Sequence, residues 1–157
     1  MSRAFVKEPD GDDVFEDLPE RPVGDERNLV TQTGLAAIEA EVERLREALA
    51  AAQGKADRAA MAEALRDLRY WSLRLSSAEL VPAQDDVSEV RFGHTVRIRR
   101  DTGREQTFRI VGLDESDPAQ GLISYLSPLA EALIGARVGE EVEAGPSAAE
   151  VISIGNA

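Results

Sequence analysis

Gly121-Leu-Ile-Ser-Tyr-Leu-Ser-Pro-Leu-Ala-Glu-Ala-Leu-Ile-Gly135 holds a strand, a helix start and a helix stop within fifteen residues. Leu122-Ile-Ser-Tyr125 reads as a short strand. Ser127 offers a side-chain oxygen to the free amides of a first helical turn, and Pro128 suits the position that follows. The apolar run through Ile134 completes a short helix, and Gly135 supplies its C-cap. Upstream, Val96-Arg-Ile-Arg99 alternates apolar and basic residues. Asp101-Thr-Gly103 is a turn with glycine where positive φ is wanted, and Thr107-Phe-Arg-Ile-Val111 is the return strand. Glu141-Val-Glu143 and Glu150-Val-Ile-Ser-Ile154 close the sheet. Residues 90–157 therefore predict a small antiparallel β domain with one short helix.

Residues 29–82 carry a different period. Thr31 or Thr33 opens a helix in which Leu35, Ile38, Val42, Leu45 and Leu49 recur at spacings of three and four. That is an apolar seam with charges on the opposite face. Gly54 is read as the break. A second seam follows in Met61, Leu65, Leu68, Trp71 or Ser72, Leu75 and Ala78, and Pro82 ends it. Two seams joined by a short turn predict an antiparallel helical hairpin. At 1.5 Å per residue, each helix would be roughly 30 Å long. Residues 83–89 form a polar linker. The fold class expected is thus α+β: an N-terminal antiparallel helical hairpin, a coiled coil, before the β domain.

Residues 1–28 are rich in acids (Glu8, Asp10, Asp12, Asp13, Glu16, Asp17) and prolines, and are expected to be a tail without fixed structure. The formal charge is −12, so nucleic-acid binding through bulk electrostatics is disfavoured. With no cysteine, disulfides, thiol catalysis and Cys-ligated metals are excluded. No apolar run approaches the ~20 residues of a membrane span, and no signal peptide is legible, so a soluble cytoplasmic protein is expected. The seams are used within one hairpin, which predicts a monomer.

Several unlike elements occur in fixed order: Phe92-Gly, Ile110-Val-Gly112, Ile123-Ser124, Ser127-Pro128, Ala132-Leu-Ile-Gly135 and Val138-Gly139. With the hairpin start Val30-Thr-Gln-Thr-Gly-Leu35 and its end Ala78-Glu-Leu-Val81, the chain resembles the GreA/GreB family of bacterial transcription elongation factors over residues 29–155. The resemblance implies an FKBP-like C-terminal domain that docks at the rim of the RNA polymerase secondary channel. It also implies a hairpin that reaches toward the active centre. By this resemblance Ser124, Ser127, Pro128 and Leu129 are the polymerase-binding residues. The plain alternative for them is capping and core packing.

The tip departs from the family. Cleavage factors carry several carboxylates there to bring magnesium to the polymerase, and hard-cation chemistry requires more than one. Here the tip reads Ala52-Gln-Gly-Lys-Ala-Asp-Arg-Ala-Ala-Met61, with Asp57 flanked by Lys55 and Arg58. The hairpin is also shorter. The expectation is a non-enzymatic regulator of elongation that binds RNA polymerase without stimulating transcript cleavage, in the position of the Gfh and Rnk members of the family. No cofactor is expected, and magnesium enters only if the tip acts at the polymerase active site. RNA or DNA contact is expected only within the polymerase complex. The rivals are a true cleavage factor using Asp57 with Glu63 to hold magnesium, and an FKBP-like chaperone or prolyl isomerase.

Three further features stand beside these. His94 is the lone histidine and is read as a surface or hydrogen-bonded residue, not a metal ligand. Arg66, Arg69 and Arg74 accompany Tyr70 and Trp71 on the second helix, as a partner face or a solvated one. Arg97, Arg99, Arg100 and Arg104 gather on the first β-hairpin as the one locally basic region.

Overall fold

A computed structural model of the chain describes residues 18–156. They divide into two compact units: residues 18–25 with 39–76, and residues 26–38 with 77–156. The first helix, α1 (Gln32–Gly54), runs through the boundary, and α2 (Arg58–Ser77) lies almost wholly in the first unit.

In the first unit Val42, Leu45 and Ala52 of α1 are buried, as is Ala64 of α2. The seam of α2 differs from the expected one. Ala64 is buried whereas Leu65 is 41% exposed. Met61, Ala64, Leu68, Trp71 and Leu75 keep alternating spacings of three and four, so alanine takes the place assigned to leucine. Arg74, read as part of a basic face, is only 4% exposed and so is not a solvated surface cation.

The turn also differs. Gly54 is still helical, and the reversal occurs at Ala56, whose φ is 51°. The Asp57 amide donates to the Ala52 carbonyl at 3.0 Å, and the Ala56 amide donates to the Gln53 carbonyl at 3.1 Å. These are the two bonds of a Schellman motif, with alanine in the left-handed position that glycine ordinarily takes. The two amide bonds outweigh the Cβ penalty. Replacing Ala56 by glycine removes that penalty, so Ala56→Gly is expected to raise stability by up to about 1 kcal/mol. Chemical denaturation checks it: a raised midpoint at unchanged slope is the expected result.

Residues 18–27 contain no helix or strand, yet several of their side chains engage α2. The Arg21 guanidinium lies 3.9 Å from the Tyr70 ring centroid and 3.4 Å from the Asp67 carboxylate. Glu20 pairs with Arg69 at 2.6 Å. Leu18 sits beside Met61, Ala62 and Leu65. Residues 1–17, most of the expected tail, lie outside the described residues.

In the second unit β1 (Asn28–Val30) pairs in parallel with β2 (Ala78–Leu80). The main sheet has the order β5-β4-β3-β7-β6, with β3 Thr95–Arg100, β4 Glu105–Val111, β5 Leu122–Ser124, β6 Glu141–Ala144 and β7 Ser147–Gly155. It is antiparallel except that β5 pairs with β4 in parallel. Alternation along β3 and β4 sends Val96, Ile98 and Ile110 into a core closed by Val90, Ile123, Leu133 and Val151. The short helix α3 (Pro128–Leu133) buries Ala130 and Leu133 in that core. The result is a helical hairpin followed by a curled β-sheet domain with one short helix.

His94 is fully buried. Its Nδ1 accepts from the Arg91 amide at 3.1 Å, so Nε2 carries the proton and donates to the Gln84 carbonyl at 3.2 Å. Nε2 thus fastens the 83–89 segment to the start of β3, while Nδ1 closes the turn at Arg91.

Candidate docking segment and hairpin tip

The segment from β5 into α3 is held by three local bonds. The Ser124 side chain accepts from the Leu126 amide at 3.2 Å. The Ser127 amide donates to the Ser124 carbonyl at 2.9 Å. The Ser127 side chain, at the N-cap with extended backbone, accepts from the Ala130 amide at 3.3 Å. Ser124 is buried, Leu129 packs against the core and Pro128 is exposed. The four sequence-derived residues therefore lie on one short stretch but differ in reach. Pro128 presents surface, Ser127 fixes the turn, and Ser124 and Leu129 anchor it from beneath.

Helix α3 ends at Leu133 with Ile134, not the expected Gly135, as its C-cap, and Gly135 beyond it takes φ 88°. Ile134 is 42% exposed and Val138 57% exposed. These two apolar residues widen the apolar surface after α3. Only their proximity in sequence to Pro128 hinted at this, because a helix end does not show which way its last side chain turns.

Tyr125 was missed as a structural tie. Its ring meets Phe92 edge-on at 5.5 Å, and its hydroxyl donates to the Arg27 carbonyl. The Arg27 guanidinium in turn grips Glu79 through two nitrogens, at 2.5 Å for the shorter contact. That hydrogen bond holds the Glu79 carboxyl below its ordinary range. Its contribution is therefore complete above the ordinary carboxylate pKa and is lost as pH falls through the lowered value. Both groups are well exposed, so solvent screens the pair and its effect is small.

At the tip, Asp57 is the N-cap of α2: its Oδ1 accepts from the Ala60 amide at 3.1 Å. Lys55, Asp57 and Arg58 are all exposed. Among the described residues no group of three or more His, Cys, Asp or Glu side chains is arranged to hold a metal ion. A tip with one carboxylate, itself engaged in capping and flanked by two cations, does not fit magnesium.

The basic cluster on the β3–β4 hairpin is mostly internally paired. Arg99 reaches Glu105 at 3.1 Å and Glu150 at 3.8 Å. Arg100 donates to the carbonyls of Ala144 at 2.5 Å and Ser147 at 3.1 Å, which secures the β6–β7 turn. Arg66 pairs with Asp67 and Arg69 with Glu20, so the cluster on α2 is not a uniform cationic face.

Sequence comparison bears on which class of protein carries a sheet domain with this capped segment after a helical hairpin. The family profile described as "Transcription elongation factor, GreA/GreB, C-term" matches residues 84–155. The chain is 39% identical to the transcription elongation factor GreA of Hyphomonas neptunium, covering 82% of this chain and 98% of that one. It is 38% identical to GreA of Chloroflexus aggregans, covering 72% and 85%. It is 49% identical to GreB of Neisseria meningitidis serogroup B over 84 residues, which span about half of each chain, 52%. The chain belongs to the GreA/GreB family. Among solved structures it is similar to Gfh1 of Thermus thermophilus, at 20% identity and a TM-score of 0.40, covering 83% of this chain and 100% of that one.

Among the described residues no helix is long and apolar enough to cross a membrane.

Proposed function

We propose that this protein is a cytoplasmic regulator of transcription elongation that binds RNA polymerase without stimulating transcript cleavage. The observation that carries the second half is the tip: its one carboxylate caps α2 and stands between Lys55 and Arg58. In this reading the segment Ser124–Leu129 docks at the rim of the secondary channel and the hairpin limits traffic through it. Pro128 supplies rigid apolar surface, and Ser127 holds the backbone that presents it. Nucleic acid is met only inside the polymerase complex. The protein acts as a monomer and needs no cofactor of its own.

The test pairs two measurements on purified bacterial RNA polymerase. Binding is expected, and the RNA of a backtracked complex with magnesium is expected to be cleaved no faster than by the polymerase alone. Cleavage that disappears in Asp57→Asn would overturn the reading of the tip. Ser127→Ala with Pro128→Ala is expected to weaken binding at least tenfold while the protein stays folded. Wild-type affinity in that variant would remove the docking assignment.

A further inference from the structure

Residues 18–21 advance along α2 toward the hairpin tip. Arg21 lies against Asp67, Tyr70 and Trp71, at 5.8 Å from the Trp71 ring centroid. Glu20 holds Arg69 at 2.6 Å, and Leu18 sits beside Arg58, Met61, Ala62 and Leu65. Asp67 to Met61 is about 9 Å along a helix axis, and three extended residues span about 10 Å. This strap is therefore extended and antiparallel to α2. The sequence explains the extension. Leu18 and Arg21 each precede a proline, which keeps them in β or polyproline II backbone. In polyproline II every third side chain shares a face, so Leu18 and Arg21 meet α2 together.

Leu18 is the first described residue, and it borders a depression of about 260 Å³. Met61, Ala62 and Leu65 make the rest of the apolar lining, and Arg58 and Arg69 make the basic part. Leu65 is the exposed leucine that the seam of α2 leaves outside. Beyond the depression Lys55 and Arg58 stand exposed at the tip. The sequence that leads into Leu18 matches this surface in both respects. Residues 8–17 read Glu-Pro-Asp-Gly-Asp-Asp-Val-Phe-Glu-Asp, with six carboxylates and no cation. Phe15 continues the period of three that places Leu18 and Arg21 against α2. Asp17 continues the period of Glu20, which already grips an arginine.

We infer that the acidic segment Phe15–Asp17 of this chain docks on the tip of its own hairpin. Phe15 fills the depression beside Leu18, and Asp17 and Glu16 face Arg58 and Lys55. The reach suffices: three residues before Leu18 cover about 10 Å, and Met61 to Arg58 is about 4.5 Å of helix axis. A second chain fits less well. Leu18 already holds one edge of the depression, and a tethered segment binds at a high effective concentration. The docked segment gives the tip carboxylates where the bare turn shows two cations beside Asp57. An acidic partner of the tip must therefore displace this segment first. The inference stands on contacts within the first unit and not on the polymerase reading.

Paramagnetic broadening in the full-length chain tests it. The chain has no cysteine, so Gly11→Cys gives one thiol for a nitroxide. At low ionic strength the amides of Lys55, Arg58, Ala59 and Ala62 are expected to lose at least half their intensity, and Ser76 far less. Phe15→Ser is expected to restore at least half of that loss, and so is Lys55→Gln with Arg58→Gln. Unchanged amide shifts in the β domain show that each variant is folded. Equal broadening at Ala59 and Ser76, or broadening that survives in both variants, would overturn the docking. A mixture of an unlabelled-thiol ¹⁵N chain with a nitroxide-bearing ¹⁴N chain separates the other occupant. Tip broadening of the same size in that mixture would assign the face to a second copy and overturn the inference.

Discussion

Leu133→Ala is expected to destabilise the C-terminal unit by about 3 kcal/mol, within the range for buried leucines. Leu133 is fully buried, and α3 gives only Ala130 and Leu133 to the core as buried residues. Ala130 has little side chain to lose, so Leu133 is the main anchor of a six-residue helix that would not form alone. The missing methyl groups leave a cavity between α3 and the sheet, and the rigid strands around it cannot close in fully. Thermal unfolding followed by circular dichroism should show a midpoint lower by roughly 10 °C. Ile134→Ala is the control: that residue is 42% exposed and should change stability by less than about 0.5 kcal/mol. A Leu133→Ala midpoint within 2–3 °C of wild type, or so, would show that α3 is held by its cap and not by packing.

Gly112→Ala is the second large expected effect, at about 2–3 kcal/mol. A Cβ at Gly112 would stand 2.5 Å from the Leu29 carbonyl oxygen, a backbone atom that moves only if β1 moves. Because β1 is paired with β2, relief there also disturbs the Asn28–Ala78 to Val30–Leu80 register. Gly34 makes a useful comparison. Its Cβ would meet Glu115 Oε2 at 2.7 Å, the end of a flexible side chain. That carboxylate can swing aside, at the cost of its 2.5 Å bond from Thr31 Oγ1, while alanine gains helix propensity in α1. The two terms largely offset, so Gly34→Ala should come close to neutral. Denaturant titrations of the two variants side by side check the contrast. A near-neutral Gly112→Ala would mean that β1 yields easily.

The features legible in the sequence were those set by local chemistry. Ser127 before Pro128 announces a capped helix because both preferences act within one turn. Thr31 is likewise a cap, with its side chain accepting from the Gly34 amide at 3.0 Å. The features not legible depended on partners far along the chain. Asn28–Val30 and Ala78–Leu80 are three-residue strands that exist only through each other. Arg74 looked like a surface cation, yet it is buried in the fold. Gly54 looked like a stop because glycine is a poor helix former, yet the Schellman bonds at Ala56 decided the turn. Ser124, Ser127, Pro128 and Leu129 read as one segment, but their division into one exposed proline and three supporting side chains is visible only with the fold. In the sequence Asp57 is only a carboxylate between two cations, and its capping bond gives it a definite structural task.

The parallel pairing of β1 with β2 has a consequence for how such proteins diversify. The two strands bracket residues 31–77 and bring the ends of that insert side by side in a small clasp, tied further by Arg27 to Glu79 and by the Asn28 amide to the Ser77 hydroxyl at 3.2 Å. Residues 39–76 are therefore a cassette, whereas Thr31 stays tied to Glu115 of the β domain. A longer hairpin, or one with another tip, can be spliced in at the clasp without rewriting a residue of the β domain. Its reach and chemistry are thus open to change by exchange of one contiguous segment, while the β domain is inherited intact.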